Sequence, residues 1–279
     1  MEKIILAIDG LNPSPNALDF ACYLGRLSKS RVTGVFLQNP VSAEKPLVEQ
    51  SNEASYTNGA IDTVSKKYET KNQKTETTIS LFQDACEKRS VRYSIHKEGG
   101  VPEKKIIAES RYADLLVVDA ETSFHTKYEE LPTDFVKAIL KDSECPVVIA
   151  PESFDGIDEV VFTFNGSKSS VFAIKQFCYL FPDLDDKKVT VVEIDEDGQC
   201  SAEEKEKFKE WISGHYSSIG YTVLKGDTEP ELFAYLLKKK NVFIVMGAYG
   251  RSAVSRFFKH SRADLLLKAS TQAIFITHF

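Results

Sequence analysis

Short apolar runs alternate with longer amphipathic stretches along the whole chain. In the second half the apolar runs are nearly continuous and rich in β-branched residues, which is typical of parallel strands covered on both faces. They predict strands near 158–165, 187–194, 219–225, 242–247 and 272–278. The first half follows the same plan, so we expect five strands in each half.

The amphipathic stretches between these runs predict helices. The stretch 167–181 has an apolar stripe at helical spacing, formed by Val171, Ile174, Phe177 and Cys178. Ser201 precedes Glu204 by three residues, which is the spacing of a capping box at a helix start. Strands that alternate with helices in this way predict a Rossmann-like or flavodoxin-like α/β fold, with a mainly parallel sheet and right-handed crossovers.

The two halves repeat each other in the same order. "IILAIDG" resembles "VVFTFNG", "VTGVFL" resembles "VTVVEI", and "YSIHKEGGVPE" resembles "YTVLKGDTEPE", which aligns Tyr93 with Tyr221. "LLVVDA" aligns with "FIVMGA", and "PVVIA" aligns with "QAIFI". Because chance apolar runs rarely keep a common order, we infer a duplication. It predicts one domain over residues 1–151 and a second over 157–279, with a linker at 151–159.

The first half carries roughly 30 residues that have no counterpart in the second half. They lie between Asn39 and about Gln73 and are rich in Ser, Asn, Glu and Lys. This composition predicts a long surface loop at about 40–73 that merges into a helix ending near Arg89. A plain solvated insertion and a mobile or partner-contacting loop both fit the composition.

Composition and charge are those of a globular protein that does not act mainly on nucleic acid. The 279 residues include 42% hydrophobic and 27% charged residues, and the net charge is −6. Phosphate backbones select basic faces, so we do not expect nucleic acid as a partner. An anionic small ligand remains open, because backbone N–H groups can bind it without net positive charge.

The sequence indicates a cytoplasmic protein with no membrane partner. The apolar run at the N-terminus is too short for a signal peptide, and no stretch approaches the roughly 20 apolar residues of a membrane helix. No two of the five cysteines have C-x-x-C spacing, so the pattern predicts neither a zinc site nor a dithiol redox motif. Buried or incidental thiols in a reducing cytosol fit these cysteines.

A ligand of such a sheet would bind at the carboxyl ends of the strands, where the strand order reverses. Three segments of the second half belong there: "FNGS" at 164–167, the end of the second strand near Glu193, and "GAYG" at 247–250. Glycine lets a phosphate approach the backbone, and the chain then leads to Ser261, which can cap the last helix. A tight turn followed by an ordinary serine cap fits the same residues.

The segments 5–21 and 245–276 resemble the opening strand and the glycine-rich signature of the universal stress protein family. The signature spacing is present as Gly247, two residues, Gly250, nine residues, and then position 260 followed by Ser261. The resemblance covers both halves and implies a tandem member, with two domains that pack through their last strands, "CPVVIAP" and "QAIFITHF". It therefore implies an intramolecular dimer, from which a homodimer of two chains can form.

The resemblance also implies a ligand, which is ATP with Mg²⁺ in the second domain only. Gly247, Gly250 and Ser261 would contact phosphate and ribose, and Asn165 would be the counterpart of the family's acidic residue at the adenine end. The full set of expected binding residues is Asn165, Gly166, Glu193, Gly247, Ala248, Gly250, Arg251, His260, Ser261 and Arg262.

The second half departs from the family pattern at two positions. His260 stands where the third glycine is expected, and its imidazole would obstruct a phosphate, point outward, or donate to the phosphate when protonated. Asn165 keeps an acceptor but loses the charge of an aspartate. Arg251 and Lys259 would offset phosphate charge or remain solvated.

The first half departs further from the pattern. Asp119 and Thr122 replace the two glycines, and Thr133 and Asp134 fall at the level of the third glycine and the serine. Because carboxylates repel phosphate, we expect no nucleotide there. Asp9 at the end of the first strand is expected to act as a capping or turn residue.

No arrangement of residues indicates catalysis or a metal site. The chain lacks a G-x-S-x-G elbow, an H-E-x-x-H pair and a P-loop, and its five histidines are scattered. The leading hypothesis is a cytoplasmic stress-response protein that senses an adenine nucleotide. Two alternatives remain open: a scaffold that binds no nucleotide, and a weak ATPase.

Overall fold

The structure of the protein, a computed structural model, describes residues 1–38, 58–125, 128–194, 200–224, 228–247 and 272–277, without the side chains of 58–68, 194, 228 and 229. The strands are β1 Lys3–Asp9, β2 Arg31–Gln38, β3 Tyr93–Gly99, β4 Leu115–Val118, β5 Val147–Ile149, β6 Glu159–Phe164, β7 Lys188–Ile194, β8 Ile219–Leu224, β9 Val242–Gly247 and β10 Ala273–Thr277. The helices are α1 Pro15–Leu27, α2 Asn58–Lys88, α3 Pro102–Ser110, α4 Asp134–Asp142, α5 Lys168–Leu180, α6 Ala202–Ser213 and α7 Thr228–Leu236.

The ten strands form one sheet in the order β3-β2-β1-β4-β5-β10-β9-β6-β7-β8. All neighbouring strands are parallel except β5 and β10, which pair antiparallel. Each half therefore contributes five parallel strands, and the halves join through their last strands. Both features confirm the sequence predictions, and each predicted strand of the second half lies within one residue of its observed bounds.

A pseudo-two-fold axis passes between Val148 of β5 and Phe275 of β10. These residues face each other, and each is aligned through one intervening strand with the same position of the repeat, which is Leu6 in the first half and Phe162 in the second. The sequence alignment "PVVIA" over "QAIFI" is therefore wrong by one residue. It makes Ile274 the counterpart of Val148 in the repeat, whereas the axis makes Phe275 the counterpart.

The repeat is also displaced at the outer strands. Tyr93 pairs with Val32 of β2, whereas Tyr221 pairs with Val191 of β7. Since Val32 corresponds to Val189 in the repeat, the structural counterpart of Tyr93 is Ile219. The sequence alignment of the two tyrosines is wrong by two residues.

Helices cover both faces of the sheet. α1, α2, α5 and α6 pack on one face, and α3, α4 and α7 pack on the other. The first face has a core that is continuous across both halves, because Phe243 contacts Phe20 of the first half at 5.9 Å and Phe177 of the second at 4.9 Å between ring centroids. The division into domains at 1–151 and 157–279 remains a prediction.

Helix α2 begins earlier than the sequence indicated. It spans Asn58–Lys88 and ends where a helix end was predicted, but its first 16 residues, about four turns, fall in the range predicted as loop. The prediction of a loop is thus wrong for residues 58–73, while residues 39–57 lie outside the described part of the chain. Among the described residues, none of the helices combines the length and apolar character that crossing a bilayer requires.

Candidate functional site

The strand order reverses between β1 and β4 in the first half and between β6 and β9 in the second. The carboxyl ends of these strand pairs flank a crevice in which ligands of open α/β sheets bind. Of the ten binding residues expected from the sequence, four lie in the described part: Asn165, Gly166, Glu193 and Gly247. The other six are outside the described residues, so their roles remain predictions: Ala248, Gly250, Arg251, His260, Ser261 and Arg262.

The turn after β6 is built to start helix α5. The Asn165 side-chain oxygen accepts a hydrogen bond from the Ser167 N–H at 3.2 Å, and the Ser167 hydroxyl caps the helix by accepting from the Ser170 N–H at 3.1 Å. Gly166 has φ +75°, and a Cβ there would lie 2.5 Å from the Cys200 sulfur. The conformation and the close neighbour both require glycine, so this residue is fixed by the turn itself.

Gly247 lies at the end of β9, against the first turn of α5. A Cβ on it would lie 2.3 Å from the carbonyl carbon and oxygen of Ser169 and 2.6 Å from the Ser170 nitrogen. The strand end and the helix start therefore lie so close together that no side chain fits between them. A helix start offers N–H groups and the positive end of the helix dipole, which attract anions. The bare backbone of Gly247 lies beside this helix start.

Glu193 has a partner within the protein. Its carboxylate at the end of β7 forms an ion pair with Lys205 of α6, and both side chains are mostly buried. A ligand contact from this carboxylate would have to compete with that lysine.

The first half fills the equivalent point with its own carboxylate. Asp119 follows β4 at the position that matches Gly247, and it accepts a hydrogen bond from the Ser14 hydroxyl at 2.6 Å. Ser14 is also the cap of α1, since it accepts from the Ala17 N–H. The second carboxylate oxygen accepts from the Glu121 N–H at 2.7 Å. The sequence indicated that Asp119 would repel a phosphate, but it gave no sign of this partnership with Ser14.

The remaining first-half residues have turn and cap roles. Asp9 accepts from the Leu11 N–H and from the Asn12 side chain, both at 2.9 Å, which confirms its predicted role as a turn residue. Thr133 caps α4 by accepting from the Val136 N–H. In the repeat Thr133 falls near the level of His260 and Ser261, and a capping role was predicted for Ser261.

A cavity of about 250 Å³ lies in the first half between α1, α2 and the end of β1. Its walls are largely apolar and include Leu18 of α1 and Leu81, Phe82 and Ala85 of α2. Sequence reasoning missed this cavity, because it depends on how α2 packs beside α1. Within the described ranges, no cluster of three or more His, Cys, Asp or Glu side chains could hold a metal ion.

Comparison with known proteins gives fold likenesses at low sequence identity. No family model and no curated protein sequence matches the chain. A universal stress protein from Archaeoglobus fulgidus DSM 4304 aligns over 99% of this chain and 98% of its own, with a TM-score of 0.66 and 15% identity. A functionally unknown protein from Pseudomonas aeruginosa PAO1 aligns over 100% and 92%, with a TM-score of 0.54 and 12% identity.

One further likeness concerns part of the chain. A universal stress protein family protein from Arabidopsis thaliana, solved with AMP bound, aligns over 53% of this chain and 89% of its own, with a TM-score of 0.36 and 19% identity. The full-length likenesses confirm, at the level of the fold, the resemblance noted in the sequence. The chain has the α/β fold of a universal stress protein across both of its halves.

Proposed function

We propose that the protein is a stress-response regulator of the universal stress protein type, and that its second half binds the phosphate groups of an adenine nucleotide. The full-length fold likeness supports the first part of the proposal. The second part depends on one observation, the close approach of the half-buried Gly247 backbone to the start of α5. We further propose that the protein acts in the cytoplasm.

The contrast between the two halves supports a ligand in one half only. In the first half, the carboxylate of Asp119 already lies beside the hydroxyl that caps α1. In the second half, glycine at position 247 brings no side chain to the start of α5, whose cap is the Ser167 hydroxyl. A phosphate suits this position because helix N-termini bind anions through N–H groups and the helix dipole.

The part of the signature that lies outside the described residues would complete the site. Gly250 would bring a second stretch of backbone to the phosphates, and Ser261 would donate its hydroxyl while it caps the last helix, as Thr133 caps α4. Arg251 and Arg262 would act together with Mg²⁺ to balance the negative charge of the ligand. His260 stands where the signature has glycine, and a small residue there would bind the ligand more tightly.

Titration of the purified protein with ATP, ADP and AMP, each with Mg²⁺, tests the proposal by calorimetry. Loss of a hydroxyl that donates to a charged phosphate costs about 1.5–3 kcal/mol, so Ser261→Ala should weaken binding by roughly 10- to 150-fold. Thr133→Ala is the matched control, because it removes the cap hydroxyl of α4 in the first half and should leave affinity unchanged. His260→Gly should strengthen binding.

Two outcomes would support other functions. If neither the native chain nor His260→Gly binds a nucleotide at millimolar concentration, the scaffold hypothesis replaces ours. Release of phosphate that Ser261→Ala abolishes would favour the weak ATPase. Gly247→Val is unsuitable for either test, because its side chain would overlap the backbone of α5 and disturb the fold.

A further inference from the structure

Two buried cysteines that are far apart in sequence meet between α1 and α2. The sulfur atoms of Cys22 and Cys86 are 3.7 Å apart and the residues are 64 positions apart. Both side chains are fully buried in the first-half core. A disulfide bond is about 2.05 Å long, so the sulfurs need to approach by less than 2 Å to form one. Sequence reasoning missed this pair because it looked for cysteines close together in the chain.

The surroundings give the two thiols different chemical roles. The hydrogen bond with Cys86 lowers the pKa of Cys22 despite its burial, and the nearby Arg89 guanidinium lowers it further, although Asp19 acts in the opposite sense. The same hydrogen bond and burial raise the pKa of Cys86. Because the thiolate is the reactive form, Cys22 is suited to attack an oxidant while Cys86 remains a thiol.

The cavity described above is lined by residues one helical turn or less from these thiols. Leu18, on its α1 wall, lies one helical turn before Cys22. Phe82 and Ala85 on its α2 wall lie one turn and one residue before Cys86. The cavity reaches solvent beside Leu81, which is 55% exposed. Its volume of about 250 Å³ exceeds several times the roughly 30 Å³ that one water occupies, so hydrogen peroxide fits inside.

We propose that Cys22 and Cys86 form a redox site that hydrogen peroxide converts to an intrachain disulfide. The Cys22 thiolate attacks one peroxide oxygen, the O–O bond breaks, and the leaving hydroxide takes a proton to become water. The sulfur is now a sulfenic acid. The Cys86 sulfur then attacks it, the S–S bond forms, and a second water leaves. In total two thiols lose two electrons and two protons, and one peroxide becomes two waters.

The disulfide would tie α1 to α2 next to the first-half crevice. The start of α1 carries Ser14, whose hydroxyl binds Asp119, so the link would fix the helix that holds this contact. The other buried thiols have different neighbours, since Cys145 contacts Ser143 and Cys178 contacts the Tyr216 hydroxyl. The fifth thiol, Cys200, lies 3.9 Å from the Ser201 carbonyl oxygen.

The experiment treats the reduced full-length protein with hydrogen peroxide, and then alkylates and digests it in denaturant. We expect two of the five thiols to be lost, a peptide that joins Cys22 to Cys86 with the loss of two hydrogens, and recovery of both thiols with dithiothreitol. This result on the native chain does not depend on the folding of any variant. The proposal is overturned if all five thiols persist, or if the disulfide joins other cysteines or two separate chains.

Variants assign the order of the steps. In Cys86→Ala the reaction should stop at the sulfenic acid, so dimedone should label Cys22. In Cys22→Ala dimedone labelling of Cys86 should be at least tenfold lower. Cys178→Ala is the matched control, because it removes a buried helical thiol and should form the same disulfide as the native chain. Equal labelling of Cys86 in Cys22→Ala would refute the assignment of Cys22 as the attacking group.

Discussion

Replacement of Gly247 by alanine tests whether the backbones of β9 and α5 are in contact. The new Cβ would lie 2.3 Å from two backbone atoms of Ser169, which is at least about 1 Å inside ordinary contact distance. Backbone cannot rotate away as a side chain can, so the helix start has to shift. Overpacking of this kind costs about 3 kcal/mol, and the entropic benefit of alanine over glycine offsets about 0.5 kcal/mol. We therefore expect Gly247→Ala to lose about 2.5 kcal/mol of unfolding free energy.

Urea unfolding measures this effect, and Gly220→Ala is the matched control. Gly220 also lies in a strand, β8, but a Cβ there would be 3.6 Å from its nearest neighbour, the Thr190 hydroxyl. The control should be stabilised by about 0.5 kcal/mol. With a slope near 3 kcal/mol per molar urea for a chain of this size, the midpoint of Gly247→Ala should fall by roughly 0.8 M. If Gly247→Ala unfolds at the native midpoint, the close approach of the two backbones is refuted, and the observation that supports the phosphate site is lost with it.

Two further predictions concern the ion pair of Glu159 at the start of β6 and the junction between the halves. Burial raises the pKa of Glu159, but hydrogen bonds from Thr190 and Lys239 outweigh it and hold the pKa below its ordinary 4.5. The stabilisation by ionised Glu159 is therefore complete above about pH 4.5 and is lost as the pH falls through the folded pKa. Glu159→Gln should cost about 3 kcal/mol of unfolding free energy at pH 7 and flatten the acid limb of a stability–pH curve. An unchanged acid limb would contradict this. Phe275→Ala should cost about 4 kcal/mol in urea unfolding, because the ring is fully buried beside Phe177. The control is Tyr128→Ala, which removes a side chain that is 90% exposed and should change stability by at most about 0.5 kcal/mol.

The sequence predicts the strands and the joining of the halves well, but it cannot set the register between repeats. β5 and β10 are apolar on both faces, so a shift of one residue leaves the pattern of apolar positions unchanged. The register through the inner strands reveals the true correspondence. Val148 leads through Val117 to Leu6. Phe275 leads in the same way through Val245 to Phe162, the counterpart of Leu6 in the repeat. At the outer strands, the shift that separates Tyr93 from Tyr221 is two residues. Such a shift keeps every side chain on its original face, so alternation of polar and apolar residues cannot detect it.

The candidate sites were predictable to different degrees. The turn role of Asp9 and the capping box at Ser201 depend on residues within three positions of each other, and both are confirmed. The bond between Ser14 and Asp119 spans 105 positions, and the Cys22–Cys86 contact spans 64. Contacts at such separations depend on how helices lie on the sheet, which local patterns do not encode.

The two halves satisfy the same physical requirement in opposite ways. Each places the start of a helix, with its unpaired N–H groups, beside the end of the strand across the crevice. In the first half three extra residues separate Gly10 from the cap at Ser14, and the space accommodates the side chain of Asp119. In the second half the cap at Ser167 directly follows Gly166, and the helix lies so close that only glycine fits at position 247. A carboxylate within the chain thus lies at the first helix start, whereas the function proposed above gives the second helix start an anion from solution, and a ligand that arrives and leaves can carry a signal.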